Sequence, residues 1–320
     1  MQRPALRALL IDVSGTLQVG ASPTPGAVQA LKELRLAGIP FRLCSNTSKE
    51  STQSLLARMK AQGFDIRDEE QGIKELWTSI GAVKQALKQL GRSRPYLLLS
   101  PSAREELVDV PPEDDEMANY DSVVVGLAPS IFTYGNLNAA FRVLVGEGRD
   151  RFIGATEGNN LSGHRPNISL IATNKARYIH DGRLSLGAGP FVAALEYAAG
   201  IQAHIVGKPT KSFFEMVIDD LGNAANSREG VIAIIGDDVE SDLGEGALEL
   251  GLWRVLVRTG KYRQGDETRQ GVAPPDEICD SFSSFIHSLL HQKKKNPAVR
   301  GKIKTANQFH LIESPPNLMD

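Results

Sequence analysis

The sequence predicts an α/β protein with a parallel-sheet core and a second α/β unit inserted into it. Short apolar runs, each about 4–8 residues long, alternate with amphipathic stretches, which is the order expected of a parallel sheet covered by helices on both faces. Several runs are continuously apolar, as is typical of strands buried on both faces. The predicted core strands are RALLIDV, PFRLCSN, HIVGK, VIAIIGDD and WRVLVRTG.

The predicted core helices carry start and stop signals. In PGAVQALKELRLAG, Pro25 marks the start of a helix and Gly38 marks its end. Thr47 and Glu50 have the spacing of a capping box, which predicts a helix within SKESTQSLLARMKAQG. The other predicted core helices are GPFVAALEYAAG, PTKSFFEMVIDDLG and ESDLGEGALELG.

Residues 79–187 are predicted to form a unit of their own. Two helical patterns, TSIGAVKQALKQLG and YGNLNAAFRVLVGEG, are interleaved with the strand-like runs YLLLS, SVVVGL, FIGA and SLIAT. We therefore expect an inserted α/β domain at 79–187. The surrounding chain then divides into a core, residues 1–78 and 188–291, and a basic, disordered tail, residues 292–320.

The composition indicates a folded protein. Of 320 residues, 41% are hydrophobic and 23% are charged, which excludes an intrinsically disordered chain. No apolar run approaches the roughly 20 residues that a membrane span needs, and the first apolar run leads into a polar turn, so we expect a first strand and no leader or membrane span. Cys44 and Cys279 are too few for a disulfide framework or a thiolate zinc site, and they favour a reducing, cytoplasmic location.

The charge is unevenly distributed. The formal net charge is -2, and residues 292–320 hold more basic than acidic side chains, which leaves the rest of the chain acidic. An acidic body argues against a broad nucleic-acid surface, so no nucleic-acid partner is expected. The lysine run in the tail could contact RNA, an anionic membrane or an import receptor, but a solvated tail is the simpler interpretation.

Asp12 is the first candidate for chemistry. It follows the apolar run of the first predicted strand, so it lies at the carboxyl end of that strand, where ligands bind in open α/β sheets. A carboxylate there could attack phosphorus or bind Mg²⁺, which prefers oxygen ligands. Gly15 permits a tight turn, and the Thr16 hydroxyl could contact a phosphate oxygen. The alternative is an aspartate that only caps the turn after the strand.

A second acidic cluster follows another predicted buried strand. Asp237, Asp238 and Asp242 come shortly after the run VIAII. Buried like charges are costly unless a cation neutralises them, so these residues and Asp12 together predict a Mg²⁺ site. Capping of the following helix could account for one of the three carboxylates, but it does not explain all three.

Lys208, Ser45 and Asn46 are weaker candidates. Lys208 lies between a predicted strand and the next helix, where a cation could hold a phosphate and balance the carboxylates. Ser45 and Asn46 end the strand PFRLC, where hydroxyl, amide and helix N–H groups could bind an anion. Taken alone, the lysine is more simply a solvated side chain, and the two polar residues are more simply helix caps.

In chain order, these signals resemble the four motifs of the haloacid dehalogenase superfamily of phosphohydrolases. The motifs are Asp12-x-Ser14-x-Thr16, Ser45-Asn46, Lys208 and Asp237-Asp238…Asp242, and the resemblance covers roughly residues 5–291. It implies a Rossmann-like core with an inserted α/β cap of the C2 type, a Mg²⁺ cofactor, and a phosphorylated small molecule or phosphoprotein side chain as substrate. Similar enzymes also form homodimers through the cap.

The resemblance implies roles for individual residues. Asp12 would be the nucleophile that forms an aspartyl-phosphate, with Ser14 and Lys208 as the other catalytic residues. The Mg²⁺ ligands would be the Asp12 carboxylate, the Ser14 carbonyl oxygen and Asp237. The groups that bind the transferring phosphoryl group would be Thr16, Ser45, Asn46 and Lys208, and the supporting residues would be Asp238 and Asp242.

Ser14 stands where most phosphatases of the superfamily have an aspartate that protonates the leaving group. A serine hydroxyl is a very weak acid, so general-acid help, typically worth roughly 10²–10⁴-fold, should be impaired. This favours pyrophosphate, acyl phosphates or P–N bonds over alkyl phosphate esters. The alternatives are a catalytically weak member that binds phospho-ligands or protein partners, and a phosphotransferase. A Rossmann dehydrogenase is excluded because no GxGxxG follows a strand.

The inserted domain is expected to select the substrate. Within it, the turn Thr173-Asn174-Lys175 is the candidate for specificity. The loop EGNNLSGHRPN at 157–167 looks longer than the corresponding turn in similar proteins. The sequence leaves the role of that loop open.

Overall fold

Two parallel sheets organise the part of the chain that the structure describes. The computed structural model describes residues 3–107, 120–147, 167–181 and 183–295. The larger sheet has six strands in the order β14-β13-β12-β1-β4-β5, and all adjacent pairs are parallel. Its strands are β1 (Leu6–Asp12), β4 (Phe41–Ser45), β5 (Leu76–Thr78), β12 (Val231–Gly236), β13 (Trp253–Val257) and β14 (Glu277–Cys279).

The smaller sheet has four parallel strands in the order β11-β8-β7-β6. They are β6 (Pro95–Leu98), β7 (Ser122–Val125), β8 (Ser169–Ala172) and β11 (His204–Ile205). Two antiparallel hairpins complete the described strands, β2 (Gln18–Val19) with β3 (Ser22–Pro23), and β9 (Tyr178–Asp181) with β10 (Arg183–Leu186). We call the described residues between 79 and 206 the smaller-sheet unit, and the remainder the larger-sheet unit.

Helices connect most of the strands. They are α1 (Ala27–Leu36), α2 (Thr52–Ala61), α3 (Ser79–Gln89), α4 (Pro101–Arg104), α5 (Tyr134–Val145), α6 (Gly189–Ala199), α7 (Lys211–Asn226), α8 (Glu245–Glu249) and α9 (Phe282–Lys295). Among the described residues, none of the helices has both the length and the apolar character that crossing a bilayer requires.

Strand β1 is buried on both faces of the larger sheet. Alternate residues of a strand face opposite sides, so Ala8 and Leu10 pack into the hydrophobic cluster that contains α7, while Leu9 and Ile11 pack into the cluster that contains α9. All four side chains are inaccessible to solvent. The polar side chains of this strand therefore lie near its two ends, Arg7 at the start and Asp12 at the carboxyl end.

The predicted fold class, a parallel-sheet core with a second α/β unit, is confirmed. One predicted core strand lies elsewhere, because HIVGK contains β11, which pairs with β8 of the smaller sheet. Helix α6, also predicted as part of the core, packs against α5 of the smaller-sheet unit. A short apolar run predicts a strand but not its partner, so the chain stays with the smaller sheet beyond the predicted boundary at 187. The domain division itself stays a prediction.

The predicted capping box at Thr47 is wrong. Helix α2 begins at Thr52, and Ser51 is its N-cap. The loop before the helix is longer than predicted because it contacts the smaller-sheet unit. There, the Ser48 hydroxyl accepts a hydrogen bond from the Leu127 N–H at 2.9 Å.

Some predicted segments lie outside the described residues. These are the strand FIGA at 152–155, most of the loop at 157–167, and residues 296–320 of the predicted tail. Helix α9 extends to Lys295 and so includes the start of the predicted tail, whose disorder stays a prediction. The first four residues assigned to that tail form the end of this helix.

The two chain crossings between the units lie side by side. Strand β5 leads into α3 at Ser79, and β11 leads back through Gly207 to the larger-sheet unit. A Cβ atom on Gly207 would lie 2.7 Å from the Ser79 Cβ and would overlap the Thr173 carbonyl oxygen. Only glycine allows these three segments to approach so closely.

Candidate active site

Three carboxylates meet at the carboxyl edge of the larger sheet. Asp12 ends β1, and Asp237 and Asp242 follow the neighbouring parallel strand β12, so the topology places them together. The three side chains are buried, and one oxygen from each lies within 4.8 Å of the others. The structure thus brings together two sequence positions more than 200 residues apart, as predicted from the two acidic strand ends.

Lys208 joins this cluster as its buried cation. Its Nζ donates hydrogen bonds to Asp12 Oδ1 at 2.5 Å, Asp242 Oδ1 at 2.7 Å and the Cys44 carbonyl oxygen at 2.8 Å. Burial alone would lower the pKa of Lys208, but the carboxylates of Asp12 and Asp242 hold it above its ordinary value. The lysine is therefore charged, and the solvated-lysine interpretation is wrong.

Three ionised carboxylates would carry more negative charge than the single ammonium of Lys208 balances. Burial, followed by the nearby Asp12 carboxylate, raises the pKa of Asp242 to about 6. The same two causes raise the pKa of Asp237 well above its ordinary range. Carboxyl groups that resist ionisation in this way favour a bound cation, because a cation stabilises their charged forms.

Lys261 is a second cation at this edge, which the sequence reasoning missed. Its backbone N–H donates to Asp237 Oδ2 at 2.6 Å, and its Nζ lies 3.2 Å from Asp238 Oδ2. Burial opposes its charge, but these acidic neighbours raise the pKa of Lys261 above its ordinary value. A signal was present in the sequence, because VRTGKYR continues from β13, which ends at the same edge of the sheet.

Two glycines let neighbouring loops close around Asp237. Gly15 has a φ of +102° and Gly260 a φ of +59°, both in the region that favours glycine. A Cβ atom on either one would overlap the Asp237 carboxylate. The tight turn predicted at Gly15 is present, and the Thr259 hydroxyl supports it by donating to the Gly15 carbonyl oxygen at 2.5 Å.

Two polar atoms beside the cluster lack a protein partner. Asp12 Oδ2 and Thr16 Oγ1 are buried and form no hydrogen bond with the described residues. Buried polar groups are almost always satisfied, so these atoms are suited to a ligand. Ser14, by contrast, is exposed.

Asn46 lies beside Lys208, and both Ser45 and Asn46 form side-chain hydrogen bonds within the protein. The Asn46 amide forms two hydrogen bonds with the Lys208 backbone, donating from Nδ2 to the carbonyl oxygen and accepting at Oδ1 from the N–H, each at 2.9 Å. The buried Ser45 hydroxyl accepts from the Thr47 N–H at 3.2 Å. The Asn46 side chain thus holds the Lys208 backbone, and the phosphoryl-binding roles of Ser45 and Asn46 stay predictions.

Asp238 points away from the three clustered carboxylates. Its Oδ1 accepts hydrogen bonds from the Glu240 N–H at 3.0 Å and the Ser241 N–H at 3.1 Å. Burial would raise its pKa, but the charge of Lys261 and these N–H groups hold the pKa of Asp238 below its usual range. Asp238 therefore caps the turn that follows β12 and not the next helix, because the N-cap of α8 is Gly244, so the helix-capping alternative is wrong. Asp237 and Asp242 are left for the cation site.

A cavity of about 560 Å³ opens from the cluster. The larger-sheet unit contributes Lys208, Asp237 and Lys261 to its wall, and the smaller-sheet unit contributes the segment 175–178. An ion pair crosses between the units in this wall, with Arg177 and Glu240 2.7 Å apart. The cavity therefore connects the space between the two units with the cluster.

Models of one protein family match both parts of the larger-sheet unit. The model described as haloacid dehalogenase-like hydrolase matches residues 9–111, which include Asp12, Ser45 and Asn46. A second model, for hydrolases of the same kind, matches residues 205–285, which include Lys208 and Asp237.

Curated relatives are similar over nearly their whole length. Human haloacid dehalogenase-like hydrolase domain-containing protein 2 is 40% identical over 288 residues, which are 89% of this chain and 96% of the relative. Mouse phospholysine phosphohistidine inorganic pyrophosphate phosphatase is 33% identical over 295 residues, which are 91% of this chain and 96% of the relative.

Solved structures share the fold. A 4-nitrophenylphosphatase from Thermotoga maritima has a TM-score of 0.70 at 22% identity, over 88% of this chain and 97% of that one. A glycerol phosphate phosphatase from Mycobacterium tuberculosis, in complex with magnesium, has a TM-score of 0.68 at 23% identity, over 87% and 76%. With its motifs clustered at one sheet edge and relatives matched over almost their full length, the chain belongs to the haloacid dehalogenase-like hydrolase family, as a phosphatase-type enzyme.

Proposed function

We propose that the protein is a Mg²⁺-dependent phosphohydrolase that works through an aspartyl-phosphate on Asp12. The observation that carries this proposal is the Asp12 carboxylate itself. One of its oxygens is held by Lys208 at 2.5 Å, and the other is buried near Asp237 and has no hydrogen-bond partner among the described residues. Lys208 therefore fixes the orientation of the carboxylate. Its second oxygen, which forms no hydrogen bond with the described residues, is left for a ligand.

The donor set fits Mg²⁺. The proposed ligands are the Asp12 carboxylate, the Ser14 carbonyl oxygen and the Asp237 carboxylate, all of them the hard oxygen donors that Mg²⁺ prefers. Lys261 and the two glycines hold Asp237 in place, and Asp242 engages Lys208. When bound, the ion would neutralise negative charge on the transferring phosphoryl group.

The chain's own residues supply the rest of the mechanism. An Asp12 oxygen attacks phosphorus, the bond to the leaving group breaks, and the leaving group departs with the bonding electron pair. The Lys208 ammonium stabilises the charge on the phosphoryl oxygens, and the Thr16 hydroxyl is available to donate to one of them. Water then attacks the aspartyl-phosphate, which releases phosphate and restores the Asp12 carboxylate.

Ser14 indicates the kind of leaving group. An exposed hydroxyl cannot replace a carboxylic acid as proton donor at neutral pH, so the favoured leaving group is either stable without a proton or already protonated when it departs. We propose pyrophosphate, acyl phosphates or P–N bonds as substrates. The name of the mouse relative includes phospholysine, phosphohistidine and inorganic pyrophosphate. The first two contain P–N bonds, so the name supports this choice.

We also propose that the smaller-sheet unit acts as a cap. Its segment 175–178 lines the cavity, and an Arg177–Glu240 ion pair joins it to the loop that follows Asp237. A cap in this position would exclude water while the phosphoryl group transfers. The cytoplasmic location and the homodimer stay predictions.

The proposal is tested by phosphate release from pyrophosphate, a phosphoramidate, an acyl phosphate and an alkyl phosphate ester, each with and without Mg²⁺. We expect Mg²⁺-dependent release that disappears in Asp12→Asn. Asp65→Asn is the control, because Asp65 is an exposed carboxylate on the surface. No turnover by the folded, Mg²⁺-binding protein would favour the alternative of a family member that only binds phospho-ligands or protein partners.

A Ser14→Asp variant tests the leaving-group argument. If the missing acid limits the reaction, this variant should hydrolyse the alkyl ester faster by about 10²-fold, the lower end of what a positioned general acid contributes. Release from the acyl phosphate, whose leaving group needs no proton, should change little. An unaltered protein that already prefers the alkyl ester would refute the substrate proposal but not the phosphohydrolase.

A further inference from the structure

A buried asparagine of the smaller-sheet unit lies against the loop that holds Lys208. Asn174 follows β8 and is only 5% exposed. Its Nδ2 donates to the Asn46 carbonyl oxygen at 3.1 Å, and its Oδ1 accepts from the Ala176 N–H at 3.0 Å. Both ends of its amide therefore have protein partners, and Asn174 is not among the residues that line the cavity.

Asn46 passes this contact on to Lys208. While its carbonyl oxygen accepts from Asn174, its side chain forms the two reciprocal hydrogen bonds with the Lys208 backbone. The Lys208 side chain in turn reaches Asp12 at 2.5 Å. Three successive contacts thus connect the smaller sheet to the reacting carboxylate.

The surrounding backbone is shaped for these contacts. Gly207 precedes Lys208, and a Cβ atom there would lie 2.5 Å from Asn46 Oδ1 and would overlap the Thr173 carbonyl oxygen. The end of β8, the loop after β4 and the segment leading to Lys208 can therefore meet only because residue 207 has no side chain.

We propose that Asn174 is a positioning residue that acts through Asn46 to align Lys208 with Asp12. The inference rests on the proposed phosphohydrolase function and deepens it. It gives Asn174 a role other than substrate specificity, which stays a prediction for the turn Thr173-Asn174-Lys175. In phosphoryl transfer, rate depends on how accurately a fixed charge is placed, so a displaced smaller-sheet unit would weaken catalysis without any change in substrate contacts.

The test is Asn174→Asp, which keeps the oxygen that accepts from Ala176 and removes the donor to Asn46. We expect kcat to fall by about three- to tenfold, the scale of one net hydrogen bond, with KM unchanged within about twofold. The matched control is Asn136→Asp, which removes an amide donor to the Ile131 carbonyl oxygen in the same unit. This control should lower kcat by less than about twofold.

A double-mutant cycle with Asn46→Asp tests whether Asn174 acts through Asn46. That single variant should lower kcat more than Asn174→Asp does, because Asn46 contacts Lys208 directly. The double variant should be no slower than Asn46→Asp alone. Independent, multiplicative losses in kcat would overturn the proposal. A raised KM with unchanged kcat in Asn174→Asp would overturn it too, because that pattern indicates a substrate contact.

A readout that needs no turnover separates this inference from the proposed function. In amide NMR spectra of the full chain, the Lys208 N–H resonance should shift in Asn174→Asp and stay in place in Asn136→Asp. If the unaltered protein releases no phosphate, the proposed function fails while this shift still supports the positioning contact. An unchanged Lys208 resonance in Asn174→Asp would overturn the inference even in an active enzyme.

Discussion

Two lysines offset part of the negative charge at the acidic edge of the larger sheet, and they are held in different ways. Lys208 is fully buried, donates to three acceptors, and has its backbone fixed by Asn46. Lys261 keeps 21% of its side chain exposed, and one carboxylate, that of Asp238, is its ion-pair partner at 3.2 Å. Its firmer contact is through its backbone N–H, which reaches Asp237.

The difference separates two tasks that a charged site must perform. Lys208 places its ammonium directly on the proposed nucleophile, so its charge can act on the transferring group. Lys261 holds the loop that presents Asp237, partly with a backbone group that any residue would supply. The site therefore has one cation that should be indispensable and one whose side chain should only adjust the affinity for the metal.

The largest expected effect is that of Lys208→Met. Loss of the ammonium should lower kcat by at least about 10³-fold, the scale found when a preorganised electrostatic group is removed. The variant leaves Asp12 and Asp242 without their buried partner, so the free energy of unfolding should also fall, by about 3–5 kcal/mol. Phosphate release and urea unfolding measure the two effects.

Lys211→Met is the matched control for this variant. Lys211 also lines the cavity, but it is half exposed and pairs with Glu215 one helical turn away. Its replacement should leave both kcat and unfolding nearly unchanged. A folded Lys208→Met protein with more than a tenth of the parent kcat would contradict the indispensable role.

Lys261→Met should have a smaller effect, on the affinity for Mg²⁺ rather than on kcat. The backbone N–H to Asp237 survives, so we expect the Mg²⁺ concentration needed for half-maximal rate to change by about tenfold or less, while kcat at saturating Mg²⁺ stays within about threefold. Titration of the rate with Mg²⁺ separates the two quantities. A loss as severe as that of Lys208→Met would remove the distinction between the two lysines.

The smallest expected effect is a shift in the pH dependence of Mg²⁺ binding. Asp242 has a pKa raised to about 6 and that of Asp237 is also raised, so protons compete with Mg²⁺ for this site. Affinity for Mg²⁺ should therefore rise with pH and fall as the pH drops below about 6. Because the charge of Lys261 lowers the pKa of Asp237, Lys261→Met should move this transition to higher pH. Calorimetric titration at several pH values measures it, and an affinity independent of pH would contradict the argument.

Much of the site could be predicted because parallel strands align their ends. Asp12 and Asp237 each follow an apolar run, and that local pattern is enough to place both at the same edge. The pairing of HIVGK with the smaller sheet could not be predicted in this way, since its partner depends on contacts with residues far away in sequence. For the same reason, Lys208 taken alone was interpreted as a solvated side chain, because its partners Asp12 and Asp242 are not evident from the residues next to it.

The contacts of Asn46 and Lys261 could not be predicted from the sequence for a related reason. An asparagine at the end of a strand has the same local pattern whether it binds an anion, caps a helix or holds another loop. Lys261 contacts Asp237 through a backbone group, which residue type does not reveal. The sequence could therefore predict which strand ends carry chemistry, but not which polar groups there are already engaged by the protein.

Ser79 and Gly207 lie next to each other, so the smaller-sheet unit begins and ends at almost the same place on the larger-sheet unit. In this respect it resembles one long surface loop. The entropy of closing a loop grows only with the logarithm of its length, so such a long excursion costs little more than a short one. The site on the larger sheet could accordingly keep its geometry while the excursion is lengthened, shortened or exchanged for another. The residues that carry the chemistry and those that control substrate access can then change independently, because the two units are connected only where the chain crosses at Ser79 and Gly207.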